Sequence, residues 1–334
     1  MLPQPYLLFL GDITEPAYAK TAFGLRDWAG ERCIGEFACD GVRVSTGLAF
    51  LTPAQAHAAG AKSMVIGVAN PGGRIPATWL PALLQALEAG LDLVGGMHAR
   101  LSGIAALRDR AVELGRRLVD VRTPPPDIPV ATGRKRSGRR LLTVGTDCAL
   151  GKKYTALTLA REFRRRGIDA DFRATGQTGI LIAGQGVPMD AVVGDFAAGA
   201  AEHLSPDADP LHWDVIEGQG ALCHPAYGGV SLALLHGSQP DVFVVCHEHG
   251  RETMLGYPDQ RLCSIEETIE LTLRLGRRTN PAIRCAGVSL NTGRLQPAEA
   301  DAVLAAERER LGLPVADPMR GGPELLRLVA ACLA

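Results

Sequence analysis

The sequence contains one run of residues whose types suit phosphate binding, the pattern G-x-x-x-x-x-G-K between an apolar run and a helix-like run, one residue longer than the G-x-x-x-x-G-K of P-loops. Glycines let backbone N–H groups turn toward a phosphate, and the N-terminal end of the following helix adds partial positive charge. We therefore predict that this segment holds the phosphates of a ligand. Its residues are Gly145, Thr146, Asp147, Cys148, Ala149, Leu150, Gly151, Lys152, Lys153 and Tyr154.

The residue after Lys152 departs from the pattern of nucleotide hydrolases, in which a Ser or Thr hydroxyl binds magnesium. This chain has Lys153 there, and an ammonium group does not ligate a cation at neutral pH. Thr155 lies nearly 200° around the helix from Lys153, about two residues at 100° each, so it is not a direct substitute. The segment therefore predicts a phosphorylated ligand but weakens the case for ATP hydrolysis.

Two carboxylates follow apolar, strand-like runs and are candidates for chemistry. Glu217 follows Trp213-Asp214-Val215-Ile216 and precedes a glycine, which suits a general base, a metal ligand or a hydrogen-bond acceptor in a loop. Asp195 is a weaker candidate of the same kind. Because ligands of open α/β sheets bind at the carboxyl ends of strands, we expect Glu217 to line one crevice with the glycine loop.

Histidines and cysteines cluster between residues 223 and 249, but without the helical or Cys-x-x-Cys spacing of a zinc site. We therefore predict no metal, and favour His247 as the histidine that faces the crevice and as the alternative base. Arg251 is predicted to clamp a substrate carboxylate, with a solvated surface charge as the alternative. The other residues predicted to contact the substrate are Gln177, Thr178, Asp195, His224 and Asn291.

Strand-like and helix-like runs alternate throughout the chain, which predicts an α/β fold with two parallel sheets. A proline-rich and basic tract at 123–140 divides them, so we expect a first domain at 1–122, an exposed linker at 123–140 and a second domain at 141–334. The predicted helices include 79–89, 101–118 and 154–166. The predicted strands include 6–10, 63–68, 91–94, 141–144, 215–216, 242–246 and 286–290.

The composition excludes several classes of protein. The chain has 334 residues, 46% of them apolar and 21% charged, with a net charge of -1, which does not suit a disordered chain or a nucleic-acid-binding protein. No run is long enough for a membrane helix and the N-terminus lacks the basic start of a signal peptide. We expect a small-molecule substrate, a homo-oligomer and a cytoplasmic protein whose eight cysteines are reduced.

Longer motifs resemble a known family over nearly the whole chain. They include VGTDCALGKKYTALTLARE, VIEGQGALCHPAYGG, CHEHGR and SLNTGRL in the second half, and GDITEPAYAKTAFGL, GVANPGGRIPATW and DVRTPPP in the first. The sequence is similar to the D-glutamate N-acetyltransferase family, formerly a domain of unknown function. That resemblance implies a Rossmann-like N-terminal half and a P-loop C-terminal half.

The resemblance also implies a reaction, the transfer of an acetyl group from acetyl-CoA to the amine of D-glutamate. On that reading the glycine loop binds coenzyme A, and Glu217 or His247 removes a proton from the substrate ammonium. The loop and the EGQG motif also resemble P-loop ligases such as dethiobiotin synthetase, which use ATP and magnesium. A non-catalytic nucleotide-binding protein is a third hypothesis, and an assay of acetyl-CoA turnover separates the three.

Overall fold

The computed structural model describes residues 2–334. Its strands are β1 (Tyr6–Phe9), β2 (Cys33–Phe37), β3 (Ser63–Ile66), β4 (Asp92–Gly95), β5 (Leu118–Asp120), β6 (Arg139–Gly145), β7 (Ala170–Arg173), β8 (Trp213–Ile216), β9 (Val242–Glu248), β10 (Thr253–Met254), β11 (Tyr257–Arg261), β12 (Arg284–Asn291) and β13 (Val315–Ala316). Its α-helices are α1 (Lys20–Ala29), α2 (Pro53–Ala58), α3 (Leu80–Glu88), α4 (Ala105–Glu113), α5 (Lys152–Arg165), α6 (Gln177–Ala183), α7 (Ala197–Leu204), α8 (Gly228–Ser238), α9 (Ile265–Gly276), α10 (Pro297–Leu311) and α11 (Gly322–Leu333).

The first compact unit contains the chain up to Pro124 and a second segment, Gln177–Pro188. Its parallel sheet has the strand order β2-β1-β3-β4-β5. Strands β1, β3 and β4 are buried at every position, as expected for parallel strands whose two faces are both covered by helices. The apolar runs of the sequence therefore become the central strands of this sheet.

Helix α6 belongs to the first unit although its sequence lies within the second half of the chain. It packs against α1, and the hydroxyls of Thr21 and Thr178 share a buried hydrogen bond of 2.9 Å. Arg32 donates a hydrogen bond to the carbonyl of Ile182 at 2.9 Å. These contacts explain why a segment distant in sequence completes the unit.

The second compact unit contains Pro125–Gly176 and Met189–Ala334. Its parallel sheet has the order β13-β12-β9-β6-β8-β7, so β6 lies between β9 and β8. Its core joins the apolar faces of β6, β8 and β9 to those of α5 and α11, with Phe163 against Trp213 at 5.3 Å between ring centroids. The carboxyl ends of β6, β8 and β9 are thus neighbours at one edge, where ligands bind in such sheets.

These two sheets confirm the predicted α/β class, with one correction to a predicted helix. The helix predicted at 101–118 is wrong, because α4 ends at Glu113, Gly115 adopts a left-handed φ of 62° and the chain re-enters the sheet as β5. The helix predicted at 79–89 matches α3, and Gly90 follows it with a φ of 91°, as a helix-terminating glycine does.

The tract expected as an exposed linker is exposed at most of its positions, but several of its residues are bonded to the second unit. Thr132 and Gly133 donate hydrogen bonds to Glu202 of α7. Arg136 and Arg140 are buried, and both guanidinium groups donate to the carbonyl of Ser205. Carbonyl oxygens replace water around these charges, which composition alone does not reveal. The domain limits given by the sequence stay predictions.

Candidate active site at the carboxyl edge of the second sheet

The glycine loop connects β6 to α5 in the orientation that the sequence predicts. Ala149 and Gly151 have positive φ angles of 55° and 105°, and α5 begins at Lys152 directly after this turn. Lys152 is buried, and its Nζ donates a hydrogen bond of 2.6 Å to the carbonyl of Asp147 across the loop. Burial lowers the pKa of Lys152. The glycine loop therefore holds the Lys152 ammonium against its own backbone, and this positive charge suits the binding of an anionic ligand.

The first turn of α5 offers no hydroxyl at the position that binds magnesium in nucleotide hydrolases. Thr155 is buried and donates to the carbonyl of Gly151 at 3.1 Å, while its Oγ1 also lies 2.7 Å from Oγ of Ser289. Lys153 is half-buried, and its Nζ lies 4.8 Å from the ring centroid of Tyr154. The residues present do not fit a magnesium–nucleotide complex of the hydrolase type.

Glu217 lies at the end of β8, next to the strand that leads into the glycine loop. One carboxylate oxygen accepts hydrogen bonds from the backbone N–H groups of Thr175 at 3.0 Å and Gly176 at 3.2 Å. Burial raises the pKa of Glu217, and the positive charges of Lys153 and Lys152 oppose that rise. A buried carboxylate with a raised pKa is a better proton acceptor than an exposed one.

The backbone around Glu217 is fixed by tight packing against β6. A Cβ atom on Gly218 would lie 1.6 Å from the carbonyl oxygen of Thr143, so only glycine fits. The N–H of Gly218 donates to Oγ1 of Thr143 at 2.9 Å. Gln219 donates to Oγ1 of Thr175 at 2.8 Å, and that hydroxyl donates to the carbonyl of Glu217. The EGQG motif thus holds the carboxylate in one place at the loop.

His247 lies in β9 on the other side of the glycine loop. Its Nδ1 is 2.8 Å from Oγ1 of Thr146, which ties the imidazole to the loop. Burial lowers the pKa of His247, so the neutral, basic form of the ring predominates. Both predicted bases, Glu217 and His247, therefore flank the glycine loop from the two strands on either side of β6.

Asp147 connects the glycine loop to the segment that follows β9. Its carboxylate is buried and accepts hydrogen bonds from Arg251 at 3.1 Å and from the N–H of Leu255 at 2.8 Å. Arg251 also donates to the carbonyl of Cys148 at 2.8 Å and pairs with Glu248. Arg251 was predicted to bind a substrate carboxylate, but its guanidinium group bonds to Asp147, Cys148 and Glu248 and so stabilises the glycine loop.

Asp147, Cys148 and His224 bring three potential metal-ligand atoms within 4.8 Å of one another. Asp147 Oδ1 and His224 Nε2 are 3.7 Å apart, and among the described residues neither has a hydrogen-bond partner. A metal would need the lone pair of Nε2. His224 Nδ1, however, accepts hydrogen bonds from two backbone N–H groups, at 3.1 and 3.3 Å, which leaves the proton on Nε2. These three residues therefore fit a His224 Nε2–H that points toward the Asp147 carboxylate better than they fit a metal centre.

A disulfide between Cys223 and Cys263 joins the loop before α8 to the segment before α9. The expectation that all cysteines are reduced is wrong for this pair. The two residues are 40 positions apart, so no local spacing reveals that folding brings them together. The disulfide fixes His224 next to the hairpin of β10 and β11, where the His224 and Tyr257 rings meet edge-on at 5.1 Å.

The remaining predicted residues lie in different surroundings. Gln177 and Thr178 begin α6 and belong to the first unit, where the Thr178 hydroxyl bonds to Thr21. Asp195 is exposed in a short turn. Asn291 ends β12, and its side chain accepts a hydrogen bond from Gly293. Their roles in binding a substrate stay predictions.

Sequence reasoning missed the contribution of Leu255 and Tyr257, because a hairpin that follows a strand carries no motif of its own. The turn that contains Thr175 and Gly176 supplies the two backbone N–H groups that hold Glu217. The signal available was the hydroxyl and backbone N–H groups of that turn. Their partner was not readable, because Thr175 and Glu217 are 42 residues apart.

No helix among residues 2–334 has the length and apolar character needed to cross a membrane. Two family models match the chain. A domain of unknown function (DUF1611_N), a Rossmann-like domain, matches residues 32–124, and a domain of unknown function (DUF1611_C), a P-loop domain, matches residues 129–327.

Similar proteins cover the chain from end to end. A D-glutamate N-acetyltransferase of Tritonibacter scottomollicae is 49% identical over 334 residues, 100% of both chains. Another of that name from Pseudoalteromonas sp is 46% identical over 318 residues, 95% of this chain and 96% of that protein. The crystal structure of a DUF1611 family protein from Anabaena variabilis is 33% identical with a TM-score of 0.86, covering 98% of this chain and 99% of that one. The chain therefore belongs to the DUF1611 family, with the Rossmann-like domain in its first half and the P-loop domain in its second.

Proposed function

We propose that this protein is an N-acetyltransferase that moves the acetyl group of acetyl-CoA to the amino group of D-glutamate. The observation that carries the proposal is the full-length identity of 49% to a curated D-glutamate N-acetyltransferase, with 46% to a second. The geometry supports it, because a phosphate-binding loop and two candidate bases lie at one sheet edge. Coenzyme A carries phosphates, and acyl transfer to an ammonium needs a base.

In the proposed reaction, the substrate ammonium first loses a proton to the protein. The free amine then attacks the carbonyl carbon of the thioester, forming a C–N bond, and the tetrahedral intermediate collapses by breaking the C–S bond. The sulfur leaves with the electron pair of that bond and receives one proton, and the nitrogen gives up its second proton as the amide forms, so that one proton is released to solvent in each turnover. The products are N-acetyl-D-glutamate and coenzyme A, and no oxidant or nucleotide is consumed.

Glu217 is the proposed base. It is buried at the carboxyl edge, its backbone is fixed by Gly218 against β6, and its pKa is raised by burial. Two N–H groups hold one carboxylate oxygen, which orients the group as a catalytic base requires. His247 is the alternative base, since its Nδ1 is tied to Thr146 and its ring is neutral near physiological pH.

The glycine loop is proposed to bind the phosphates of coenzyme A through its backbone N–H groups and through Lys152. The ligase alternative, which uses ATP and magnesium, is disfavoured by Lys153 and by the engaged hydroxyl of Thr155. No structural observation favours a purely non-catalytic role over the transferase.

The cellular setting is also part of the proposal. We place the enzyme in the cytoplasm as a homo-oligomer that acts on a small molecule and binds no nucleic acid, in keeping with its net charge of -1.

The experiment that tests the proposed function is a direct acetylation assay. Purified protein is supplied with acetyl-CoA and, one at a time, D-glutamate, L-glutamate, D-aspartate and D-alanine. Thiol release and product mass are then followed. We expect release of one thiol for each N-acetyl-D-glutamate formed, fastest with D-glutamate and without ATP. Absence of product with every acceptor, or a strict need for ATP, overturns the proposal.

A further inference from the structure

The feature that sets this phosphate loop apart is the charge of the residue after its lysine. In P-loop hydrolases that residue supplies a hydroxyl to magnesium, which in turn neutralises the ligand phosphates. In this chain the same position, the second residue of α5, carries the ammonium of Lys153. A cation bonded to the protein thus occupies the helix turn that elsewhere recruits a metal ion.

The neighbouring groups do not restore a metal-binding set. The hydroxyl of Thr155 is hydrogen-bonded within the protein, to the carbonyl of Gly151 and to the hydroxyl of Ser289. The carboxylate of Glu217 accepts two backbone N–H groups. A divalent cation placed beside Glu217 would also meet the charges of Lys152 and Lys153, and like charges repel strongly where water is excluded.

The ammonium of Lys153 acts on Glu217 directly through its charge. Lys153 opposes the effect of burial on the Glu217 pKa more strongly than the two N–H groups or Lys152 do. The charged groups that act on Glu217 are Lys153 and Lys152 from α5, and the loop after β7 contributes the Thr175 and Gly176 N–H groups. Lys153 therefore lies where one charge influences both the loop and the proposed base.

We propose that Lys153 takes the place of the divalent cation at this phosphate loop, so that the site binds the diphosphate of coenzyme A without metal and discriminates against metal–nucleotide complexes. The two consecutive lysines then supply the positive charge that a lysine and a magnesium ion supply in hydrolases. This inference rests on the proposed function for the identity of the ligand.

The test uses the full chain with four substitutions. Lys153→Met removes the charge and keeps most of the length, Lys153→Arg keeps the charge, and Lys153→Thr restores the hydroxyl of the hydrolases. Lys62→Met is the control, since Lys62 is an exposed lysine of the first unit. Calorimetry measures binding of coenzyme A and of ATP, each with chelator and with magnesium, and circular dichroism checks folding.

For the wild type and the control, we expect coenzyme A to bind equally well with chelator and with magnesium. Lys153→Met is expected to weaken that binding by roughly tenfold, the size of one charge-assisted contact, and Lys153→Arg to restore most of it. In Lys153→Thr, magnesium is expected to improve ATP binding, which it does not do in the wild type. Wild-type binding of coenzyme A that needs magnesium overturns the proposal, as does unchanged affinity in Lys153→Met or no metal response in Lys153→Thr.

If the wild type has no acetyl-transfer activity, the proposed function fails, while the binding measurements still decide whether Lys153 replaces the metal.

Discussion

The two sheets of this protein are both parallel, yet their buried carboxylates are used differently. In the first unit, buried Glu36 accepts hydrogen bonds from both Ser45 and Thr46, and Asp92 accepts the backbone N–H and the guanidinium of Arg117. These partners belong to adjacent loops. Each of these carboxylates is held by groups that stabilise the chain itself.

In the second unit, buried Asp214 and Asp317 also have structural partners, whereas two other buried carboxylates, Glu217 and Asp147, lie around the glycine loop. Glu217 shares its surroundings with two lysines, and Asp147 Oδ1 has no hydrogen-bond partner among the described residues. A buried charge that is incompletely compensated is costly for stability, so such groups concentrate at functional sites. This difference shows that burial of a carboxylic acid does not by itself indicate a functional site. What marks it is burial combined with incomplete pairing next to a phosphate-binding loop.

The largest effect is expected from Glu217→Gln, which keeps the shape of the side chain and removes the proton acceptor. We expect kcat to fall by roughly 10²–10⁴, the usual contribution of a general base, with coenzyme A binding nearly unchanged. Steady-state kinetics and calorimetry measure the two quantities. Retention of more than about a tenth of the wild-type kcat rules out Glu217 as the base, and His247→Asn is then the variant to examine.

A smaller effect is expected from Lys152→Met at the centre of the glycine loop. Loss of the buried ammonium should weaken coenzyme A binding by about 1.5–3 kcal/mol, because a charge-assisted contact with phosphate disappears. Calorimetry in the presence of chelator measures the change. Lys62→Met is again the matched control, and equal affinities in the two variants would show that the loop does not bind the phosphates.

The comparison also predicts a variant that affects stability but not catalysis. Glu36→Gln disturbs a carboxylate that accepts several hydrogen bonds within the first unit, so the free energy of unfolding should fall by about 1–3 kcal/mol. The kcat per folded molecule should stay the same. Urea unfolding measures the free energy of unfolding, and kinetics normalised to folded protein measure kcat. A fall in kcat beside the loss of stability would contradict the claim that Glu36 has only a structural role.

The smallest effect concerns the pH dependence of stability. The pKa of Glu217 is raised in the folded state, so its ionisation at neutral pH destabilises the fold, and this penalty vanishes as pH falls below the ordinary value for the unfolded chain. Glu217→Gln should therefore melt at the same or a higher temperature than the wild type at neutral pH. That difference should close toward acidic pH in thermal scans. If Glu217→Gln is less stable than the wild type at neutral pH and equally stable in acid, the pKa of Glu217 is lowered in the folded state rather than raised.

Local sequence patterns were sufficient to predict the inner strands of both sheets, the glycine loop and the helix after it, but not the edge strands β2, β5, β7 and β13. Apolar runs that end in glycine or polar residues are local signals, and phosphate chemistry requires the glycines and the lysine of the loop. The pairing of Cys223 with Cys263 and the hold of Thr175 on Glu217 depend on residues about 40 positions apart, so no window of sequence reveals them. Arg136 and Arg140 were predicted to be exposed, because basic residues next to prolines are typical of linkers. Both are buried, and their guanidinium groups donate hydrogen bonds to backbone carbonyls.

Helix α6 has a consequence for how the protein is made. The ribosome completes the strands of the first sheet by Asp120, yet the segment Gln177–Pro188 that belongs to that unit emerges only after β6, α5 and β7 of the second. Domains that fold during synthesis usually do so in order from the N-terminus. Here the nascent first unit must wait with the surface of α1 that receives α6 uncovered, including the hydroxyl of Thr21. Its maturation is therefore timed by translation of its neighbour.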